Sequence, residues 1–87
     1  MKNKVLIKLI IPKLDITLDY FIPVNESIYK VKKLLLKTIP ELNRIDDEAI
    51  LKYILINKDN TRIYLNNEIV VSTDIRNASE LILFEKN

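Results

Sequence analysis

The stretch from Ser27 to Pro40, SIYKVKKLLLKTIP, constrains the fold more than any other, because it alone carries a clear helical period. With Ile28 as reference on a helical wheel, Val31, Leu35, Thr38 and Ile39 fall on one side, and Lys30, Lys33 and Lys37 gather on the other. Most of the remaining chain reads as strand. A lone amphipathic helix among strands must bury its apolar side against a sheet, which predicts an α+β fold. Ser27 is the expected N-cap, with Asn25 as second choice. The helix should end near Ile39, because Pro40 disfavours the α conformation at the residue before it.

Lys4 to Ile11 alternates, with Val5, Ile7, Leu9 and Ile11 on one face and Lys4, Leu6, Lys8 and Ile10 on the other. Pro12-Lys13-Leu14 supplies a turn, and Asp15 to Ile22 resumes the alternation. Ile16, Leu18, Tyr20 and Ile22 share one face there, and Asp15, Thr17, Asp19 and Phe21 the other. The two runs form an expected antiparallel hairpin. Glu41 to Glu48 reads as a polar connection in which Asp46 can cap a short helical turn. A third strand is expected over Leu51 to Asn57, with Leu51, Tyr53 and Leu55 inward and Ile54 and Ile56 outward.

Lys58-Asp59-Asn60 is the next expected turn, since Asp and Asn tolerate positive φ where the chain offers no Gly. Arg62 to Leu65 should return as a short strand. Val70 and Ile75 should be buried pins in an irregular stretch, and Glu80 to Phe84 the last strand. A last strand lying parallel beside the first, with the helix crossing one face of a mixed sheet, completes a β-grasp of four to five strands.

A chain of 87 residues has length for one domain, and at this size only about 60–65% of the unfolded surface becomes buried. No Cys or His is present, which excludes disulfides, thiol nucleophiles and an imidazole base. A net charge of +2 does not by itself imply nucleic acid. No run approaches the ~20 apolar residues of a membrane span. The basic, apolar opening is interrupted by Lys8 and Pro12, unlike a signal peptide, so a soluble cytoplasmic protein is expected.

The chain resembles the ubiquitin-like superfamily over essentially its whole length. Residues 5–8, VLIK, resemble the first strand of ubiquitin, and residues 16–18, ITL, its second. SIYKV at 27–31 resembles the helix start, and STDIRNASELILF at 72–84 the approach to the final strand, although Asp74 and Ile75 are adjacent here. Within the superfamily it is most similar to the small YukD/EsaB-like proteins of Gram-positive bacteria. That resemblance implies a cytoplasmic accessory or regulatory component of type VII secretion, with no catalytic residue, cofactor or metal, and another protein of the secretion machinery as partner. The alternative is a ubiquitin-like or sulphur-carrier protein modified at its C-terminus. The sequence given ends Phe84-Glu85-Lys86-Asn87 without the Gly pair of such carriers, which argues against that reading unless the natural chain continues.

The outer face of the sheet is the main candidate site. Leu6, Ile10, Phe21, Ile54, Ile56, Ile82 and Phe84 should form one contiguous apolar patch beside Lys8 and Lys52, suited to a protein partner. Weak contact between copies of the chain is a second use for it. The stripe of Lys30, Lys33 and Lys37 would face an acidic partner or an RNA backbone, though a solvated helix face is its ordinary reading. No aromatic lies between those lysines to stack on bases. Asp46, Asp47 and Glu48 lack calcium-loop spacing, and Ser27, Ser72 and Ser79 have no His to activate them. Tyr20 and Tyr53 belong to the core or its edge, and Tyr29 and Tyr64 should be partly exposed. No small-molecule substrate or membrane insertion is expected.

Overall fold

The computed structural model describes residues 3–44 and 46–86; the start at Met1 and Lys2 and the terminal Asn87 lie outside the described residues. Strand β1 (Lys4–Ile11) pairs antiparallel with β2 (Ile16–Pro23), in a register running from Lys4 opposite Pro23 to Ile11 opposite Ile16. A 3₁₀ turn over Pro12–Leu14 joins them, closed by Asp15 at φ 54°. Asp is among the non-glycine residues that enter this left-handed region most readily.

Helix α1 (Ile28–Lys37) starts where expected. Ser27 adopts extended backbone, and its Oγ accepts from the Lys30 amide at 3.1 Å, satisfying one of the first-turn donors. Ile28, Val31, Leu35 and Leu36 face the sheet, with Ile39 just beyond the helix. Thr38, expected on the buried side, is instead the exposed C-cap, and its Oγ1 shares a 2.6 Å hydrogen bond with the Tyr20 hydroxyl.

Strand β4 (Glu80–Glu85) runs parallel to β1, with Leu9 beside Leu81, and β3 (Tyr53–Asn57) pairs antiparallel with β4, with Leu55 beside Leu83. The mixed sheet has the order β2-β1-β4-β3. Alternation sends Ile7, Leu9, Ile11, Tyr53, Leu55, Leu81 and Leu83 toward α1, where all are buried in one core with the helix residues. Val70 and Ile75 are buried as expected.

Three local expectations need correction. The third strand starts at Tyr53, because helix α2 (Asp47–Ile50) occupies the preceding residues and Leu51, its C-cap, is exposed rather than inward. Asp46 does cap that helix, its Oδ1 accepting from the Ala49 amide at 2.8 Å. Arg62 to Leu65 contributes one isolated bridge, Ile63 opposite Ile56, and the sheet has four strands. The positive φ in the turn falls on Thr61 (59°) rather than on Asp59 or Asn60.

Tyr64, expected to be partly exposed, is only 3% exposed. Its hydroxyl donates to Asp74 Oδ1 at 2.5 Å and accepts from Asn57 Nδ2 at 3.1 Å. Arg62 stacks over the Tyr64 ring at 5.0 Å and pairs with Glu68 at 2.6 Å. Asn60 Nδ2 reaches the other Asp74 oxygen at 2.9 Å. This network adds side-chain hydrogen bonds to the two backbone bonds, Asn57 amide to Arg62 carbonyl at 2.8 Å and Tyr64 amide to Leu55 carbonyl at 3.0 Å, that tie the irregular segment to β3.

Candidate functional site

The registers fix which side chains share the face opposite α1. Leu6 lies opposite Phe21, forming one row. The next row is charged from edge to edge: Asp19 opposite Lys8, Lys8 beside Glu80, and Glu80 bonded to Lys58, whose amide donates to the Glu80 carbonyl and whose Nζ donates to its Oε1 at 3.1 Å. Beyond it Thr17, Ile10, Ile82 and Ile56 form a third row, followed by Phe84 opposite Ile54.

The single contiguous patch expected from sequence is therefore divided. Lys8 does not border the patch but sits in the row that cuts Leu6 and Phe21 away from Ile10, Ile54, Ile56, Ile82 and Phe84. Successive same-face residues on a strand are about 6.6 Å apart, so one charged row between them is enough to separate two apolar surfaces. The larger surface also has a member that the sequence reading left out. Ile63 bridges Ile56 beyond the edge of β3 and is 54% exposed. Exposed Leu65 lines one cleft with Ile54 and Ile63. A usable signal was present in the alternation of Ile63 and Leu65 with Arg62 and Tyr64.

Ile10, Ile54, Ile56 and Ile82 are half-buried by one another, while Phe84 is 48% exposed. At one end the surface is bordered by the Lys58–Glu80 ion pair; beyond Phe84, Glu85 lies opposite Tyr53 on the α1 side of the sheet and pairs there with Lys13. The Glu85 hydrogen bond holds the Lys13 ammonium pKa above its ordinary value.

The lysines of α1 separate into two kinds. Lys30 and Lys37 are exposed, but Lys33 pairs with Asp47 Oδ1 at 3.5 Å and ties α1 to α2. The stripe is thus partly engaged within the molecule. Lys32, which the sequence reading passed over, is 2% exposed and donates from Nζ to the Tyr53 carbonyl at 2.7 Å. Burial, and then repulsion by Lys86, lowers its pKa from the ordinary lysine value. Its place four residues after Ile28, on the apolar side of the wheel, was a readable signal.

The remaining polar candidates serve local structure. Asp46 and Ser27 are caps, and Ser79 Oγ accepts from the Arg76 amide at 2.8 Å. Hydrogen bonds from Tyr64 and then Asn60 hold the Asp74 carboxyl below its ordinary pKa. Among the described residues no group of three or more acidic side chains is placed to hold a metal ion, and no helix is long and apolar enough to cross a membrane.

No family model matches the chain, and no curated protein matches it. Solved structures do. The N-terminal ubiquitin-like domain of the 4931431F19Rik protein superposes with a TM-score of 0.74 at 14% identity, covering 98% of this chain and 77% of that one. The ubiquitin-like domain of Plasmodium falciparum Dsk2 gives 0.71 at 13% identity, covering 94% and 97%. A chain of the toluene 4-monooxygenase HD complex with the inhibitor 4-bromobenzoate gives 0.75 at 7%, covering 95% and 99%. At these identities the likeness is one of fold: the chain has the ubiquitin-like β-grasp architecture.

Proposed function

We propose that this protein is a non-catalytic interaction module that binds another protein through the part of its outer sheet face formed by Ile10, Ile54, Ile56, Ile63, Ile82 and Phe84. The observation that carries this reading is an apolar surface on two central and one edge strand, with no covering element among the described residues and the Lys58–Glu80 ion pair at its border. Large apolar surfaces of this kind on small domains mark contact sites. Solved structures of like fold include ATBAG1 in complex with HSP70, a match covering 94% of this chain and 40% of that one at a TM-score of 0.69. The finer assignment, a cytoplasmic accessory or regulatory component of type VII secretion, rests on the sequence resemblance to YukD/EsaB-like proteins.

Affinity capture from the native host tests the surface. Phe84→Asp and Ile63→Asp place a charge on positions already about half exposed, so both variants should fold. Each should lose the proteins captured by the wild type. Undiminished capture by the folded double variant would overturn the assignment, and identification of what the wild type retains would decide the secretion link.

A further inference from the structure

Lys32 does not end in a closed core. It lies in the wall of an open cleft of about 210 Å³ where the end of α2, the edge of β3 and residues 63–66 meet. Leu51, Ile54, Ile63 and Leu65 supply apolar walls, and Lys86 stands at the opening. Two polar groups there are incompletely used. The Lys32 ammonium has three donors, and among the described residues its one hydrogen-bond partner is the Tyr53 carbonyl, with no carboxylate in ion-pair distance. Asn66 Oδ1 is buried and accepts no hydrogen bond from the described residues.

A buried charge without a counter-ion is costly, and a second lysine beside it adds repulsion. A carboxylate removes both costs, and a neighbouring N–H would satisfy Asn66. A polypeptide offers that pair of groups together, an acidic side chain and a backbone amide, whereas a free acid offers only the first. We propose that this cleft is a carboxylate site, occupied by an Asp or Glu side chain of a polypeptide partner. The carboxylate is received by Lys32 with Lys86 assisting, and the flanking apolar residues of the partner lie against Leu51, Ile63 and Leu65. Ile54 and Ile63 belong both to the cleft and to the sheet-face surface, so the polypeptide occupant rests on the interaction reading above.

The test is an NMR titration of isotope-labelled protein with an acetylated, amidated Leu-Glu-Leu tripeptide, its Leu-Gln-Leu isostere and isovalerate. The tripeptide is short enough to probe the cleft without spanning to Ile10 and Ile82, so its result is independent of whether sheet-face capture succeeds. Saturable shifts are expected at Leu51, Ile63, Leu65 and Asn66, with the Lys32 Nζ signal remaining charged to higher pH when the peptide is bound. Lys32→Met should weaken binding about tenfold or more, as expected for loss of a charge-assisted hydrogen bond. Lys86→Gln, at an exposed position, should weaken it by a few-fold and flatten its salt dependence, and this variant serves even if Lys32→Met fails to fold. Absence of saturable shifts, or equal binding of the Gln isostere, would overturn the site. Tighter binding of isovalerate than of the Glu peptide would overturn the polypeptide occupant.

Discussion

The two faces of the sheet are built from the same strands and much the same residue types, yet they have opposite fates. On the inner face, Leu9, Leu55, Leu81 and Leu83 are closed off by α1. On the outer face, Ile10, Ile56 and Ile82 occupy the alternate positions of those strands, and among the described residues no element covers them. Hydrophobicity alone does not distinguish them. The inner rows around Leu9, Leu55, Leu81 and Leu83 are broken by no charge, the buried Asn57 beside Leu81 being polar but neutral, whereas the outer rows are cut once, by Asp19, Lys8, Glu80 and Lys58. A core tolerates no such row, because each charge would need a buried partner. An exposed face can carry one, and it limits the size of the apolar surface offered to solvent.

The sharpest way to break this comparison is truncation on either side. Leu81→Ala on the inner face should cost about 2–5 kcal/mol, the usual range for a leucine deleted from a packed core. Phe84→Ala on the outer face, three positions along the same strand, should cost no more than about 1 kcal/mol, since nearly half of the ring is already in water. Equal costs measured by chemical denaturation would mean that the outer face is as well packed as the core.

The next effect comes from Tyr64, which joins the sheet edge to the loop network. Burial, and then the Asp74 hydrogen bond, push its pKa up to about 12 from an ordinary value near 10. A group with a raised folded pKa contributes stability that is intact below the unfolded value and lost as pH rises through the folded one. The protein should therefore lose on the order of 2 kcal/mol between pH 10 and about 12, and Tyr64→Phe should not show this loss. Lys32 acts with the opposite sign. Its folded pKa is lowered, so its ammonium costs stability at neutral pH, and that cost disappears as pH rises toward 10.5. A denaturation series over the alkaline range should show the Lys32 gain ahead of the Tyr64 loss.

A smaller effect concerns the turn that delivers Ile63 to the outer face. Thr61 holds φ 59°, a region that β-branched residues avoid. Thr61→Gly should stabilise by about 0.5–1 kcal/mol, because the strain relieved exceeds the entropy that Gly loses on folding. Destabilisation would show that the Thr61 hydroxyl bond to the Asn60 carbonyl outweighs the strain.

Much of this was legible in the sequence because it is written in short-range periods. The alternation of Lys4 to Ile22 sets both faces of β1 and β2, and Ser27 and Asp46 announce their helices by capping. What could not be read depends on contacts between distant segments. Leu51 looks like a strand residue, but α2 takes up the chain just before it. The Arg62 to Leu65 segment has a strand pattern and makes a single bridge, since the amides at its two ends, Arg62 and Leu65, donate to the Asn60 and Glu68 side chains instead of continuing the ladder. Within the proposed surface, the identity of the outward residues followed from alternation. Its division did not, because the charged row is assembled from three strands and the turn residue Lys58 and exists only once their registers are set.

That division also gives the most direct measurement of the central claim. Phe84→Asp and Phe21→Asp introduce the same charge on opposite sides of the Asp19–Lys8–Glu80–Lys58 row, at positions 48% and 65% exposed. With both variants confirmed as folded, capture of the host partner should be lost in Phe84→Asp and retained in Phe21→Asp. Retained capture by Phe84→Asp, or loss confined to Phe21→Asp, would contradict the account.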